Sequence, residues 1–110
     1  AAGSRFEAFV AKFTGDGSQV FIRSFGGTGG GDVAATDVGL VSSPDVEAIV
    51  GGTANASFVG TTERGEGSDV VAFKVNSTGN LVWSVQYGSD GTDAVSGLAV
   101  DEDSGYFYMV

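Results

Sequence analysis

Residues 9–26, FVAKFTGDGSQVFIRSFG, align without a gap on residues 71–88, VAFKVNSTGNLVWSVQYG. Lys12, Gly17, Val20 and Gly26 recur as Lys74, Gly79, Val82 and Gly88. The substitutions keep a large apolar or aromatic side chain in place: Phe9/Val71, Phe13/Val75, Phe21/Trp83 and Phe25/Tyr87. After each copy a Gly-rich loop closes in an aspartate, Asp32 or Asp93, and another apolar pair of segments follows, ending at Val50 or Val110. A unit of about 60 residues, used nearly twice, constrains the fold strongly, because each such unit has to hide its apolar surface against the next.

The unit is made of strands. Val, Phe and Ala dominate the apolar residues, Pro44 is the lone proline, and 19 glycines supply turns. The glycines have no three-residue period, which excludes collagen. Arg5–Phe13 reads as a strand with Phe9, Ala11 and Phe13 on one face, and Val20–Phe25 returns after Thr14–Ser18. Further strands are expected at Val33–Val41, Val46–Val50, Asp69–Val75, Leu81–Tyr87, Ala94–Val100 and Tyr106–Val110. The last of these ends at full strength and is expected to be tied into a sheet completed by further sequence or a neighbouring chain. No segment carries a helical period. Eight short strands with Gly/Asp/Ser turns predict an all-β sandwich, barrel or propeller, and the repeat of four strands selects a propeller-type blade, whose sheet cannot bury its own faces alone.

The segments EAFVAKFTGDGSQVFIRSFGG (7–27), SDVVAFKVNSTGNLVWSVQYG (68–88) and TDAVSGLAVDEDSGYFYMV (92–110) resemble the bacterial β-propeller repeat often called the SBBP repeat. Leu81-Val82-Trp83-Ser84 is the sharpest part of the likeness. The resemblance implies four-stranded antiparallel blades with the Trp-bearing strand outermost. On that reading residues 6–25 form an outer half-blade, 33–87 a full blade with an insertion at 53–67, and 94–110 an inner half-blade, so the chain is a fragment of a larger propeller. Two blades' worth of strands cannot close a ring of roughly four or more. The chain departs from the pattern in its long third strand, in that insertion and in having Phe21 where the tryptophan belongs.

The chain excludes several functions by composition. There is no histidine and no cysteine, so hydrolytic triads with His, thiolate metal sites and disulfides are out. Fourteen acidic residues against five scattered basic ones give a net charge of −9, which repels a phosphate backbone and speaks against nucleic acid. No apolar run approaches the roughly 18 residues of a membrane-spanning helix. The Gly26–Gly31 run lacks the Gly-Lys-Ser/Thr ending of a phosphate loop.

The remaining candidates are few. Lys12 and Lys74 stand at equivalent strand positions, which fits a repeat surface better than a Ser–Lys pair. Glu63, Glu66 and Asp69, or the equivalent Asp32 and Asp93, are carboxylates of the type that glycosidases use, but a residue repeated in each unit suits a loop-capping role. Asp90, Asp93, Asp101 and Asp103 offer hard oxygen ligands for Ca²⁺ without EF-hand spacing. No other cofactor is indicated. Asn55-Ala56-Ser57 and Asn76-Ser77-Thr78 are glycosylation sequons in expected loops, and they point to an extracellular or cell-surface glycoprotein. Phe21, Phe25, Trp83 and Tyr87 are read as repeat core, while Tyr106 and Tyr108 share a strand face. The sequence thus suggests a non-catalytic structural or protein-interaction segment whose partners are proteins, neighbouring subunits or blades. A carbohydrate-binding module, Ca²⁺-assisted or not, is the alternative, and a glycoside-active enzyme fragment ranks third.

Overall fold

The computed structural model describes residues 6–26, 31–42, 45–55, 68–88 and 93–110. Among them the chain is all-β and antiparallel, with no helix. Eight strands follow one another: β1 Ala8–Phe13, β2 Gln19–Phe25, β3 Val33–Ser42, β4 Val46–Ala54, β5 Asp69–Val75, β6 Leu81–Tyr87, β7 Leu98–Val100 and β8 Phe107–Met109. They form a β1–β2 hairpin, a four-stranded meander β3–β4–β5–β6, and a β7–β8 hairpin.

The hairpins β1–β2 and β5–β6 share one design. Ala8 pairs with Phe25 and Phe13 with Gln19; 62 residues further on, Val70 pairs with Tyr87 and Val75 with Leu81. A register shift follows the lysine in each, at Lys12/Phe13 and at Lys74/Val75. The turns coincide as well. The Thr14 and Asn76 amides donate to the carbonyls of Ser18 and Asn80, and Gly17 and Gly79 take φ of 90° and 94°, where a Cβ is strained. A side-chain oxygen at the first turn position, Thr14 Oγ1 or Asn76 Oδ1, accepts the amide four residues on. Short polar side chains that accept local amides specify such turns from sequence.

Three layers stack. On one face of the meander Val33, Val50, Ala54, Val71, Phe73 and Val75 are buried with Ala8 of β1, and Val10 and Phe25 pack onto this cluster. The Phe25 and Phe73 rings lie 5.0 Å apart, tilted by 47°. The opposite face receives the third layer: Trp83 stacks on Phe107 at 5.5 Å, and Leu98, Met109 and Val95 close over Gly51. Asp37, beside the register shift in β3, accepts the Leu98 amide at 3.0 Å and so ties the third layer to the second.

Three strands differ most in extent from the sequence expectations. β4 runs on through Gly51-Gly52 to Ala54, into the segment expected as an insertion at 53–67. The glycines continue the strand because β3 passes so close that a Cβ on Gly52 would stand 2.1 Å from the Ala34 carbonyl oxygen. β1 starts at Ala8 rather than Arg5. β7 is confined to Leu98–Val100, although Gly97 and Val110 still exchange both backbone bonds beyond it and the Ser96 amide also donates to the Val110 carbonyl. Phe9, Ala11 and Phe13 share one face of β1, as the alternation predicts; that face points away from the core, with Phe9 and Phe13 65% and 54% exposed, while Ala8 and Val10 face it.

Candidate functional site

The residues expected as repeat core fall at matching positions but in different surroundings. Phe21 is 6% exposed; its ring lies against the β5–β6 turn, where a Cβ on Gly79 would stand 2.9 Å away, and the Arg23 guanidinium covers it at 5.7 Å. Phe25 is half-buried on Phe73. Trp83, the counterpart of Phe21, is half-buried on Phe107, and Tyr87, the counterpart of Phe25, is 71% exposed.

The polar candidates do local structural work. Asn55 and Asp32 bond reciprocally: the Asp32 amide donates to Asn55 Oδ1 at 2.7 Å, and the Asn55 amide to the Asp32 carbonyl at 3.0 Å. Asp32 Oδ1 accepts the Phe6 amide at 3.0 Å. Asn76 Oδ1 gathers the Thr78 and Asn80 amides and the Thr78 hydroxyl. Asp101 Oδ1 accepts the Asp103 amide in the β7–β8 turn, and the Asp93 amide donates to the Ser68 carbonyl. Among the described residues no three carboxylates are grouped to hold a metal ion. Asp90, Glu63 and Glu66 lie outside the described residues. Lys74 pairs with Glu47 at 2.7 Å, while Lys12 reaches across to the Ser77 carbonyl at 3.3 Å. The equivalent lysines therefore serve different contacts.

Two features escaped the sequence reading. Asp69 is fully buried with Gln86, whose Nε2 donates to Asp69 Oδ2 at 3.2 Å. Gly88 lies so close to this carboxylate that a Cβ would stand 1.9 Å from Oδ1. Glu7 and Gly26 repeat the juxtaposition in the first hairpin. The recurrence of an acidic residue at the head of the first strand and a glycine after its partner was the available signal.

The second feature is the surface itself. A groove of about 700 Å³ opens over the meander, between the outer edge of β1 and the β3–β4 surface. Val10, Val38, Leu40, Val46 and Ala48 line it, and Val38, Leu40 and Val46 are exposed. Phe9, Phe13 and Ile22 form a second apolar patch on the outer face of the first hairpin; Val85 and Tyr87 form a third beside Trp83; Tyr106, Tyr108 and Val110 form a fourth. Scattered apolar residues on a surface are ordinary, but contiguous patches mark contact sites.

No helix among the described residues is long and apolar enough to cross a membrane. No protein-family model matches the chain, and no curated protein is a significant relative of it.

Proposed function

We propose that the chain is a non-catalytic structural or protein-interaction segment of an extracellular or cell-surface repeat protein, with its sheets serving as propeller-type blades. One observation carries the reading: two hairpins 62 residues apart have the same register and the same turn, and they lie in successive layers. A half-sheet that hides its inner face only on a neighbouring sheet belongs to an architecture of stacked units. In this reading β3–β6 is a blade, and the outer β1–β2 and inner β7–β8 hairpins are halves of two more. The likeness to the SBBP repeat supports the same arrangement. Recognition falls to loops held by the stacked sheets, since loops tolerate change where strands must pack. The sequons at Asn55 and Asn76 support the extracellular setting; expression in a glycosylating secretory host should add glycan mass at one or both.

A second reading rests on Tyr106, just before β8, and Tyr108 within it, both exposed as aromatic platforms for sugars would be. A glycan array separates the two. The proposal expects no saturable binding with or without Ca²⁺. Saturable binding that Tyr106→Ala and Tyr108→Ala abolish overturns it in favour of a carbohydrate-binding module.

A further inference from the structure

The four apolar patches are complementary in pairs, and the internal stack supplies the rule by which they fit. In that stack the Phe21/Phe25 face of the first hairpin lies on the Val71/Phe73/Val75 face of the meander. The next layer follows the same rule incompletely. Leu98 pairs with Met109 and Val100 with Phe107, as Val38 pairs with Val50 and Leu40 with Ala48, so β7–β8 corresponds to β3–β4. It covers the meander's second face with strands of that type only, and Val85 and Tyr87 stay bare where strands corresponding to β5–β6 would lie. The chain carries strands of that kind at its other end. The hairpin β1–β2 has the register of β5–β6, and among the described residues β1 pairs on one side only, as does β8.

We infer that the chain associates head to tail with a second copy of itself, the β7–β8 hairpin of one copy entering the groove beside β1 of the next. The inference rests on reading the sheets as successive equivalent units. The union makes a four-stranded sheet β7–β8–β1–β2 shared between two copies, with the order of the meander. Every bare patch is then covered. Phe9, Phe13 and Ile22 of the second copy lie over Trp83, Val85 and Tyr87 of the first. Tyr106, Tyr108 and Val110 of the first lie over Val38 and Leu40 in the groove of the second. The contact surface is continuous with one that already exists, since Trp83 is held on its other flank by Phe107. The register follows from the pairs Ala48–Val75 and Val50–Phe73 between β4 and β5: Phe107 pairs with Phe13, and Met109 with Ala11, across the junction. The two contributing surfaces differ, so the interface is heterologous and propagates to a closed ring or an open filament.

Cross-linking and sedimentation of the intact chain test this. The chain has no cysteine, so Met109→Cys and Ala11→Cys each add one thiol. Mixed and oxidised, the two variants should form a disulfide-linked heterodimer in preference to either homodimer, because cross-strand partners bring Cα atoms within disulfide range. Unsubstituted chain should sediment above protomer mass with rising concentration. Phe9→Asp and Tyr87→Asp, both at exposed positions, should each weaken association at least about tenfold. Their mixture should stop at a heterodimer, since each variant retains the surface that the other lacks. A wild-type chain that stays a single copy overturns the inference and assigns the groove to a different occupant, leaving the glycan result to judge the proposed function separately. Homodimers of either cysteine variant in preference to the mixed pair overturn it in favour of an isologous contact.

Discussion

The hairpins β1–β2 and β5–β6 have the same register, turn and lysine position, yet their burial is opposite. Val71, Phe73 and Val75 of β5 are fully buried, whereas Phe9 and Phe13, the counterparts of Val71 and Val75, are mostly exposed. On the other face the contrast inverts: Phe25 is half-buried on Phe73, and its counterpart Tyr87 is bare. Backbone pairing alone therefore does not set the environment of a side chain here. What lies above and below each sheet sets it. The β5–β6 hairpin has a layer on one face along its whole length, and among the described residues the β1–β2 hairpin has a layer on the opposite face alone.

Substitution at paired positions sharpens that contrast. Val71→Asp places a carboxylate in a fully buried site and should destabilise the fold by at least about 3 kcal/mol. Phe9→Asp at the counterpart should change protomer stability by no more than about 0.5 kcal/mol. Urea titration of both at low concentration measures this, and equal losses would mean that the layers are not arranged as described.

The glycines give a smaller difference. Gly88→Ala drives a methyl into the buried Asp69 carboxylate and should cost about 1–3 kcal/mol. Gly26→Ala meets only the Glu7 side chain, which is exposed and can swing away, so its cost should stay below about 0.5 kcal/mol. Thermal melts of the two variants compare them directly.

The smallest effect distinguishes the turns. Asp16 is held below the usual carboxylate value of 3.8, first by the Thr14 hydroxyl and then by the Ser18 amide. A lowered value means that the charged form supports the turn. Its contribution is complete above 3.8 and disappears as pH falls through the lower folded value. The second turn relies on the Asn76 amide oxygen, which does not titrate. Acidification below about pH 4 should therefore shift the NMR amide signals of Gly17 and Ser18 before those of Gly79 and Asn80.

The sequence made the strands and their order legible because the turns are chemically marked. Asx and hydroxyl acceptors beside positive-φ glycines punctuate the chain, and β5 and β6 start and end where pattern and turn residues place them. The direction of burial was harder to read. Both faces of β1 are apolar, with Phe9, Ala11 and Phe13 on one and Ala8 and Val10 on the other, so alternation alone did not tell which is covered. Gly51-Gly52 looked like a break, because nothing local reveals the backbone of β3 passing against them. The candidate surfaces were invisible for a similar reason: a patch is defined by the absence of a neighbour, which no window of sequence reports. The buried Asp69 was passed over as one carboxylate among several, although the recurrence of Glu7 and Gly26 as Asp69 and Gly88 marked the position.

The meander also bears on how the chain reaches its native state. Every strand pair joins strands adjacent in sequence, and the β1–β2, β3–β4, β5–β6 and β7–β8 hairpins close over short spans. Hairpins of this kind form in about 1–10 μs, and a topology of local pairings folds faster than sandwiches of similar size that join distant strands. The slow step is then the docking of preformed sheets, with Ala54 to Asp69 as the longest span of sequence between paired strands of the central sheet, so lengthening that span should slow assembly of β5–β6 onto β3–β4 while leaving the formation of each two-stranded hairpin untouched.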